Sequence, residues 1–386
     1  MTSDQRGAPT AFKRELRLFD STMIVVGSMI GSGIFIVSAD IGRTVGGGGW
    51  LLAVWLITGL ITLIAALSYG ELAGMMPRAG GQYVYLREAY GPVIGFLYGW
   101  TFLLVIQTGI IAAVGVAFAK FLGVLAPALG ENNVLARVGG FELTAAQLVA
   151  IASIAALTAV NWRGLRTGRA VQNGFTATKT LALIGLIVLG LAIGSNGAAI
   201  RANLDSFWSM SWTRVVDGKL SIEALTPALL LAAIGAAMVG SLFSSDAWYN
   251  ITFTAAEVVE PRRTIPLSMA LGTGLVTLLY LLVNISYLAM LTLVGTPGGS
   301  DAMSRGIQFA THDRVGVAAA EVIFGAPAAA IMAVLIMIST FGCNNGLILA
   351  GARVYYAMAR DGLFFRAIGR LNDRGVPGAG LGLQCL

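Results

Sequence analysis

Charged residues are scarce in this chain of 386 residues. Aspartate, glutamate, lysine and arginine together make up 11% of the sequence, whereas hydrophobic residues make up 56%. An ordinary soluble domain carries about 25% charged residues, and so few charges cannot cover a surface that faces water. The composition therefore excludes an ordinary soluble domain and predicts that most of the chain faces lipid or other helices.

Cysteine and histidine are almost absent. Cys343 lies within an apolar run, Cys385 is next to last in the chain, and the one histidine, His312, lies in a polar loop where we expect it to be solvated. No Cys-x-x-Cys or Cys/His spacing occurs, so the sequence predicts neither a disulfide nor a metal site. It also has no nucleophile beside a histidine and no phosphate-binding loop. We therefore predict a protein that is not an enzyme and uses no cofactor.

The basic residues are distributed unequally between the two predicted sides of the membrane. With the N-terminus inside, the cytoplasmic segments hold sixteen lysines and arginines and the opposite segments hold eight. This excess satisfies the positive-inside rule and predicts that both ends of the chain are cytoplasmic. The short clusters RTGR and EPRRT lack the basic stripe that nucleic-acid binding needs. The formal net charge of +6 is thus a topology signal, and we predict no nucleic-acid partner.

Long apolar runs are abundant. Each is about as long as the ~20 residues that a helix needs to cross ~30 Å of hydrocarbon. We predict an all-α polytopic protein of the lipid bilayer, with a cytoplasmic segment over 1–20, no cleavable signal peptide, and one transmembrane domain over 21–386. The predicted spans are 22–39, 50–73, 93–119, 144–160, 176–195, 225–256, 266–295 and 326–351.

Two of these spans are interrupted by small and polar residues. Residues 27–35 read GSMIGSGIF, and residues 241–246 read SLFSSD. A broken helix leaves N–H and C=O groups without partners, which costs several kcal/mol each in lipid. A zwitterion could satisfy both kinds of group. The alternative for the first interruption is a helix-packing face, because Gly27 and Gly31 form a GxxxG pair.

The positions of the two interruptions predict an inverted repeat. Each falls in the first helix of a group of five spans, as expected for two halves related by inversion. In the first interruption, Gly31 and Gly33 would let the backbone unwind and approach a ligand closely. Ser32 adds a hydroxyl donor, and the following half-helix favours an anion at its start.

Charged side chains at membrane depth are functional candidates by default. Lys179 lies in the fifth predicted span, and Asp246 lies beside the second interruption. Lys179 could instead snorkel toward the cytoplasmic stretch 169–173. Glu257, in AEVVEPRR, is expected to pair with an arginine of an inner loop.

Four motifs occur in the order GSMIGSGIF, PRAGGQYVYLREAYG, FSSDAWYNITFTAAEVVEPRRTIP and ARVYYAMARDGLFFRAIGRL. Together they resemble the motifs of the amino acid–polyamine–organocation permeases, and most closely those of the L-amino-acid transporter branch and its bacterial relatives. The resemblance runs from about Leu18 to the C-terminus. It implies the five-plus-five inverted-repeat (LeuT-like) fold and transport of amino acids across the plasma (inner) membrane.

The resemblance also implies a substrate site at the two helix breaks, with an aromatic gate at Phe243. In the family these breaks supply backbone groups to the substrate's carboxylate and ammonium. The matching residues here are Ser28, Met29, Ile30, Gly31, Ser32, Gly33, Phe243, Ser244, Ser245 and Asp246. Ala247 and Tyr249 stand where relatives commonly carry glycine and asparagine, so the resemblance does not settle side-chain selectivity.

Lys179 matches a family lysine that takes the place of a sodium ion in sodium-coupled relatives. There it bridges the broken first helix and a serine of the eighth span, which Ser339 matches here. The resemblance therefore implies transport without sodium. Eukaryotic relatives attach a heavy subunit by a disulfide from the loop between the third and fourth spans. That loop has no cysteine here, so no such partner is expected.

We therefore predict a secondary amino-acid transporter that works by alternating access as an exchanger or facilitator. The alternative is a transport-incompetent amino-acid binder or sensor, or an inactive fragment. The fragment alternative arises because the inverted repeat needs ten spans, whereas this sequence ends after about eight. A channel is not favoured, because no ring of filter residues is present.

Overall fold

The computed structural model describes residues 11–139, 141–216 and 219–386. Residues 1–10 of the predicted N-terminal segment lie outside it. Seven helices of the described chain are long and apolar enough to cross a membrane, and we call them the second to eighth spans. They are Gly48–Met75, Pro92–Leu125, Ala145–Trp162, Leu165–Ala192, Pro227–Ser244, Pro261–Met290 and Ala328–Arg360. The predicted helical membrane architecture is confirmed.

The first span is divided. It consists of the helix Leu18–Met29, the 3-10 turn Gly33–Phe35 and the helix Val37–Val45. The first helix ends where Ile30 turns to an extended backbone, with φ −75° and ψ 98°. The interruption thus falls within the glycine- and serine-rich stretch that the sequence singled out.

The sixth span is divided as well. Its long helix begins at Pro227, where the Thr226 hydroxyl accepts a hydrogen bond from the Leu229 N–H at 3.4 Å, and it ends at Ser244. After an irregular stretch, the short helix Asn250–Phe253 and the 3-10 turn Ala255–Glu257 continue the chain. Both predicted helix breaks are therefore present.

Shorter elements connect the spans, and two of them are β-hairpins where the sequence predicted loops without strands. The hairpins are Val134–Val138 with Phe141–Thr144, and Ser211–Val216 with Lys219–Ala224. The short helices are Gln82–Tyr90, Gly197–Asp205, Ala302–Arg305, Val315–Phe324 and Gly378–Cys385, with 3-10 turns at Pro127–Leu129, Thr311–Asp313 and Arg366–Gly369. The second hairpin contains Trp212, Thr213, Val215, Val216 and Ile222, and such aromatic and β-branched residues favour strands.

Small residues allow the spans to pack closely, as is typical of membrane helices. The second and seventh spans lie against each other, and a Cβ on Gly70 would come within 2.9 Å of the Pro266 Cα. The eighth span is the most buried of the long helices. It packs against the first, third and fifth spans, so it runs through the middle of the bundle beside the first break.

The third span contains a feature that the sequence did not predict. Phe102–Gln107 form a π-helical segment within the span. The Thr108 hydroxyl donates to the Leu103 carbonyl five residues back, at 2.7 Å. Gln107 donates from Nε2 to the Leu347 carbonyl of the eighth span at 2.7 Å. The wider turn therefore joins the third span to the eighth.

Glu257 pairs with an arginine, as predicted, but that arginine is Arg353 of the eighth span. Its carboxylate accepts hydrogen bonds from Nε and Nη2 of Arg353, at 2.9 and 3.0 Å, and both side chains are 2% exposed. Arg353 is not in an inner loop, because the eighth span continues to Arg360, beyond its predicted end at residue 351. The two charges form a buried, bidentate pair inside the bundle.

Candidate functional site

The two helix breaks meet at a cavity of about 50 Å³. Eight of the ten residues predicted for the substrate site line it, and Ile30 and Ser245 do not. The remaining lining residues come from the third span, the sixth break and the eighth span. The whole lining is Ser28, Met29, Gly31, Ser32, Gly33, Ile110, Val114, Phe243, Ser244, Asp246, Ala247, Cys343 and Leu347.

The carbonyl groups at the first break already have protein donors. Each carbonyl from residue 27 to residue 31 has a donor within 3.2 Å, supplied by Lys179, Cys343, Tyr280 or Ser339. This pairing explains how the broken helix is tolerated at membrane depth, where unpaired backbone groups are costly. Each of these carbonyls therefore has a protein donor without a ligand.

Lys179 pairs with two of these carbonyls. Its Nζ donates to the carbonyls of Gly27 at 2.5 Å, Ile30 at 2.6 Å and Ser339 at 3.3 Å. An ammonium group has three protons, so all of its donors are used. The side chain is 2% exposed and points to the first break, so it does not snorkel toward the end of the fifth span.

Ser339 contacts both Lys179 and the first break. The Lys179 ammonium contacts the Ser339 carbonyl rather than its hydroxyl. The hydroxyl lies 2.9 Å from the Gly31 carbonyl and 3.2 Å from the Ile30 carbonyl, to which it donates independently of the lysine. The fifth and eighth spans thus hold the same turn of backbone through separate donors.

Tyr280 and Cys343 join the site although the sequence did not single them out. The Tyr280 hydroxyl lies 3.2 Å from the Met29 carbonyl and 3.1 Å from the Ser244 carbonyl, so it connects the two breaks. Cys343 Sγ lies 3.1 Å from the Ser28 carbonyl. A buried tyrosine normally needs a hydrogen-bond partner, and that need was the one available signal for Tyr280.

The backbone N–H groups at the first break differ from the carbonyls in their pairing. Within the part of the chain that the structure describes, the N–H groups of Gly31 and Ser32 donate to no backbone acceptor, whereas that of Ile30 donates to Val26 at 3.0 Å. The helical turn that begins at Gly33 follows directly. Free N–H groups at the start of a helical turn favour an anion.

The second break adds a carboxylate and a tight contact. Asp246 lines the cavity, and the Tyr249 hydroxyl lies 3.4 Å from its Oδ2. Ser244 turns its hydroxyl back to the Gly240 carbonyl at 2.9 Å. A Cβ on Gly33 would lie 2.7 Å from the Ser244 Cβ. Glycine is therefore required there for the two breaks to touch.

Phe243 borders the cavity but is 60% exposed. The resemblance placed it as a gate over the substrate. In this structure it stands at the rim with most of its ring away from the protein. Among the described residues, no group of three or more histidine, cysteine, aspartate or glutamate side chains is arranged to hold a metal ion.

Comparison with known proteins agrees with this geometry. The amino acid permease family matches residues 16–386. The chain is 29% identical over 367 residues to the b(0,+)-type amino acid transporter 1 of Oryctolagus cuniculus, covering 95% of this chain and 66% of that protein. It is 31% identical over 357 residues to the large neutral amino acids transporter small subunit 2 of Homo sapiens, covering 92% and 59%. The chain thus spans two thirds or less of the length of these relatives.

One solved structure with a similar fold is that of Mhp1, a nucleobase-cation-symport-1 family transporter in a closed conformation with bromovinylhydantoin bound. The TM-score is 0.55 with 15% sequence identity, and the likeness covers 99% of this chain and 73% of that chain. At this identity the likeness concerns the fold alone.

Proposed function

This chain belongs to the amino acid permease family, and we propose that the protein is a secondary transporter that moves amino acids across the plasma membrane by alternating access. The observation that carries the proposal is the cavity at which the broken first and sixth spans meet. The names of the relatives, which state amino acid transport, support it. The site performs no bond chemistry in this proposal.

The substrate is held by its two charged groups. Its carboxylate accepts hydrogen bonds from the N–H groups of Gly31 and Ser32. Its ammonium binds the carboxylate of Asp246, which lines the same cavity as Gly31 and Ser32. The remaining predicted residues of 28–33 and 243–246 shape the backbone around these groups.

Transport does not require sodium in this proposal. A sodium ion between the first and eighth spans would need oxygen ligands. The carbonyls of Gly27, Ile30 and Ser339 are the oxygens available there, and the Lys179 ammonium binds all three. The lysine therefore supplies a fixed positive charge where a coupling ion would otherwise bind.

Both ends of the chain are cytoplasmic in this proposal, and no heavy subunit is attached by a disulfide. The excess of basic residues on one side supports the orientation. The stretch 126–144 between the third and fourth spans contains no cysteine, which supports the second part. In intact cells, a membrane-impermeant maleimide should fail to label Cys385 until the membrane is opened. Labelling of Cys385 in intact cells would contradict the orientation.

Two measurements, amino acid uptake and amino acid binding, test the proposal. The purified protein in proteoliposomes should take up radiolabelled amino acids, faster when the lumen holds unlabelled amino acid, and equally in sodium and choline buffers. Uptake that requires sodium would contradict the role given to Lys179. Binding without uptake would favour the alternative, a transport-incompetent binder, because the binding groups lie in the first and sixth spans alone.

A further inference from the structure

Ala247 has a backbone conformation that alanine rarely adopts. Its φ is +66°, in the left-handed region, where the Cβ of an L-residue crowds the backbone. Glycine would hold the same conformation without steric cost. Such strain is retained where the surrounding structure or the function requires it, and it concentrates at ligand sites. Ala247 therefore holds a methyl group at a position where glycine would fit the backbone better.

This methyl group forms part of an apolar wall. Ala247 is 4% exposed and packs in one cluster with Leu347, Ile110 and Val114. The same four side chains line the cavity between the helix breaks. We call Ile110, Val114, Ala247 and Leu347 the apolar wall. None of them offers a charge or a hydrogen bond to a substrate side chain.

The space beside the wall is small. The cavity measures about 50 Å³, whereas pockets for drug-sized ligands measure roughly 300–1,000 Å³. The carboxylate and ammonium of an amino acid would take much of this space at Gly31, Ser32 and Asp246. What remains beside the wall fits a side chain of very few atoms.

We propose that the substrates are amino acids with small apolar side chains and that the Ala247 methyl group sets their upper size limit. This inference rests on the proposed function and names its substrate class. The strain at Ala247 is the consequence of placing a methyl group at a position where the backbone by itself would favour glycine.

Ala247→Gly tests the size limit directly. The substitution removes the methyl group and relieves the backbone, so the variant should express as well as the original protein. Wild-type proteoliposomes should take up alanine in preference to leucine. In the variant, the ratio of leucine uptake to alanine uptake should rise about tenfold, the lower end of the 10–200-fold that one methylene contributes in an apolar pocket.

A second variant separates size from backbone strain. Val114→Ala widens the same wall from the third span without changing any left-handed residue, and it should raise the leucine-to-alanine ratio in the same direction. Val239→Ala is the matched control, because Val239 is 69% exposed on the sixth span and does not line the cavity. It should leave the ratio unchanged.

The outcomes distinguish this inference from the proposed function. If the wild-type protein neither binds nor takes up any amino acid, the proposed function fails. If it transports amino acids but accepts leucine as readily as alanine, or if Ala247→Gly leaves the ratio unchanged, the size limit is wrong. A shift with Ala247→Gly and none with Val114→Ala would also overturn it, because Ala247 would then act through the backbone alone.

Discussion

Gly31 and Gly33 are separated by a single residue but have different surroundings. A Cβ on Gly31 would make only ordinary contact, with Cys343 Sγ nearest at 3.8 Å. A Cβ on Gly33 would overlap Ser244. The first glycine thus leaves space in front of the free N–H groups, and the second lets the two breaks touch. The same residue type serves ligand access at one position and packing at the other.

Gly31→Ala should therefore lose amino-acid binding while keeping its thermal stability. The added methyl group fits the protein but stands where a carboxylate would approach the backbone. Gly33→Ala should lose both, because the two breaks must separate. Binding affinity and Tm of the purified variants check this. Gly174→Ala, at a position with open space around its Cβ, is the control. Normal binding by Gly31→Ala would favour the helix-packing alternative.

Lys179→Ala should weaken the junction of the first, fifth and eighth spans. The Gly27 carbonyl loses its side-chain donor, whereas the Ile30 carbonyl keeps the Ser339 hydroxyl. An unsatisfied buried polar group costs about 1–3 kcal/mol. We expect transport to fall sharply and expression to stay nearly normal.

The effect of sodium on the Tm of the Lys179→Ala variant is a second measurement, independent of transport. The vacated carbonyls form a site of oxygen ligands, which hard cations prefer. Sodium chloride should therefore raise the Tm of Lys179→Ala above its value in choline chloride, and it should not do so for the wild type. Lys120→Ala, on the exposed end of the third span, is the control. An equal response of all three proteins would argue against a cation-like role.

At this scale the sequence singled out the break residues and two of their donors, Lys179 and Ser339, but not the other two, Tyr280 and Cys343. Glycine and serine can be recognised within an apolar run because they disfavour the helix that the surrounding residues predict. Tyr280 and Cys343 lie in apolar runs that suit a tyrosine or a cysteine equally well in a plain packing role. Their contacts with Met29 and Ser28 depend on how separate spans are placed side by side. A single sequence does not show which residues of separate spans are neighbours.

At the scale of elements, the buried pair of Glu257 and Arg353 joins the end of the sixth-span region to the eighth span. Glu257→Gln should lower the free energy of unfolding by about 3–5 kcal/mol, because it leaves the Arg353 charge buried without a partner. Replacing both residues by methionine should recover most of that loss. Tm in detergent measures both effects.

The control for this pair is an exposed one. Arg137 and Glu142 face each other across the first hairpin with 73% and 50% of their side chains exposed. Removing Arg137 should change stability by about 0–1 kcal/mol. A loss for Glu257→Gln no larger than this would mean that water reaches the buried pair.

The span boundaries show why elements are predicted better than their connections. Length and apolarity located every long helix, since only helices of that length cross a bilayer. The hairpins and the extension of the eighth span to Arg360 escaped prediction. The extension carries Arg353, a charge that marks the end of an apolar run in sequence but is neutralised by Glu257 in the fold.

At the scale of the whole molecule, each end of the bundle is held by contacts between distant segments of the chain, which we call its closure. At one end, the segment before the first span forms a parallel bridge between Leu16 and Val258, and Arg169 donates to the Glu15 carbonyl at 2.9 Å. We call this the N-terminal end. At the opposite end, Arg43 donates to the Gln308 carbonyl and to Asp313, both at 2.6 Å.

Alternating access requires that these two closures be coupled, so that weakening one favours opening at that end and closure at the other. Arg43→Ala should open the opposite end, and Arg169→Ala should open the N-terminal end. Each removes a partly exposed ion pair, that of Arg43 with Asp313 or that of Arg169 with Asp20, worth about 1 kcal/mol or less. Because about 1.4 kcal/mol is tenfold in an equilibrium constant, we expect population shifts of a few-fold.

A cysteine at Ser32, in a background with Cys343 and Cys385 replaced by alanine, reports both ends. A membrane-impermeant maleimide added on the side of Arg43 should label the Arg43→Ala variant faster than the parent. The same reagent added on the side of Arg169 should label that variant more slowly than the parent. Arg169→Ala should show the reverse, and the double variant should return toward the parent because the two shifts oppose each other. If both single variants instead increase labelling from the same side, the closures are independent. The chain would then bind amino acids at a site that opens in one direction only, as expected of a sensor rather than a transporter.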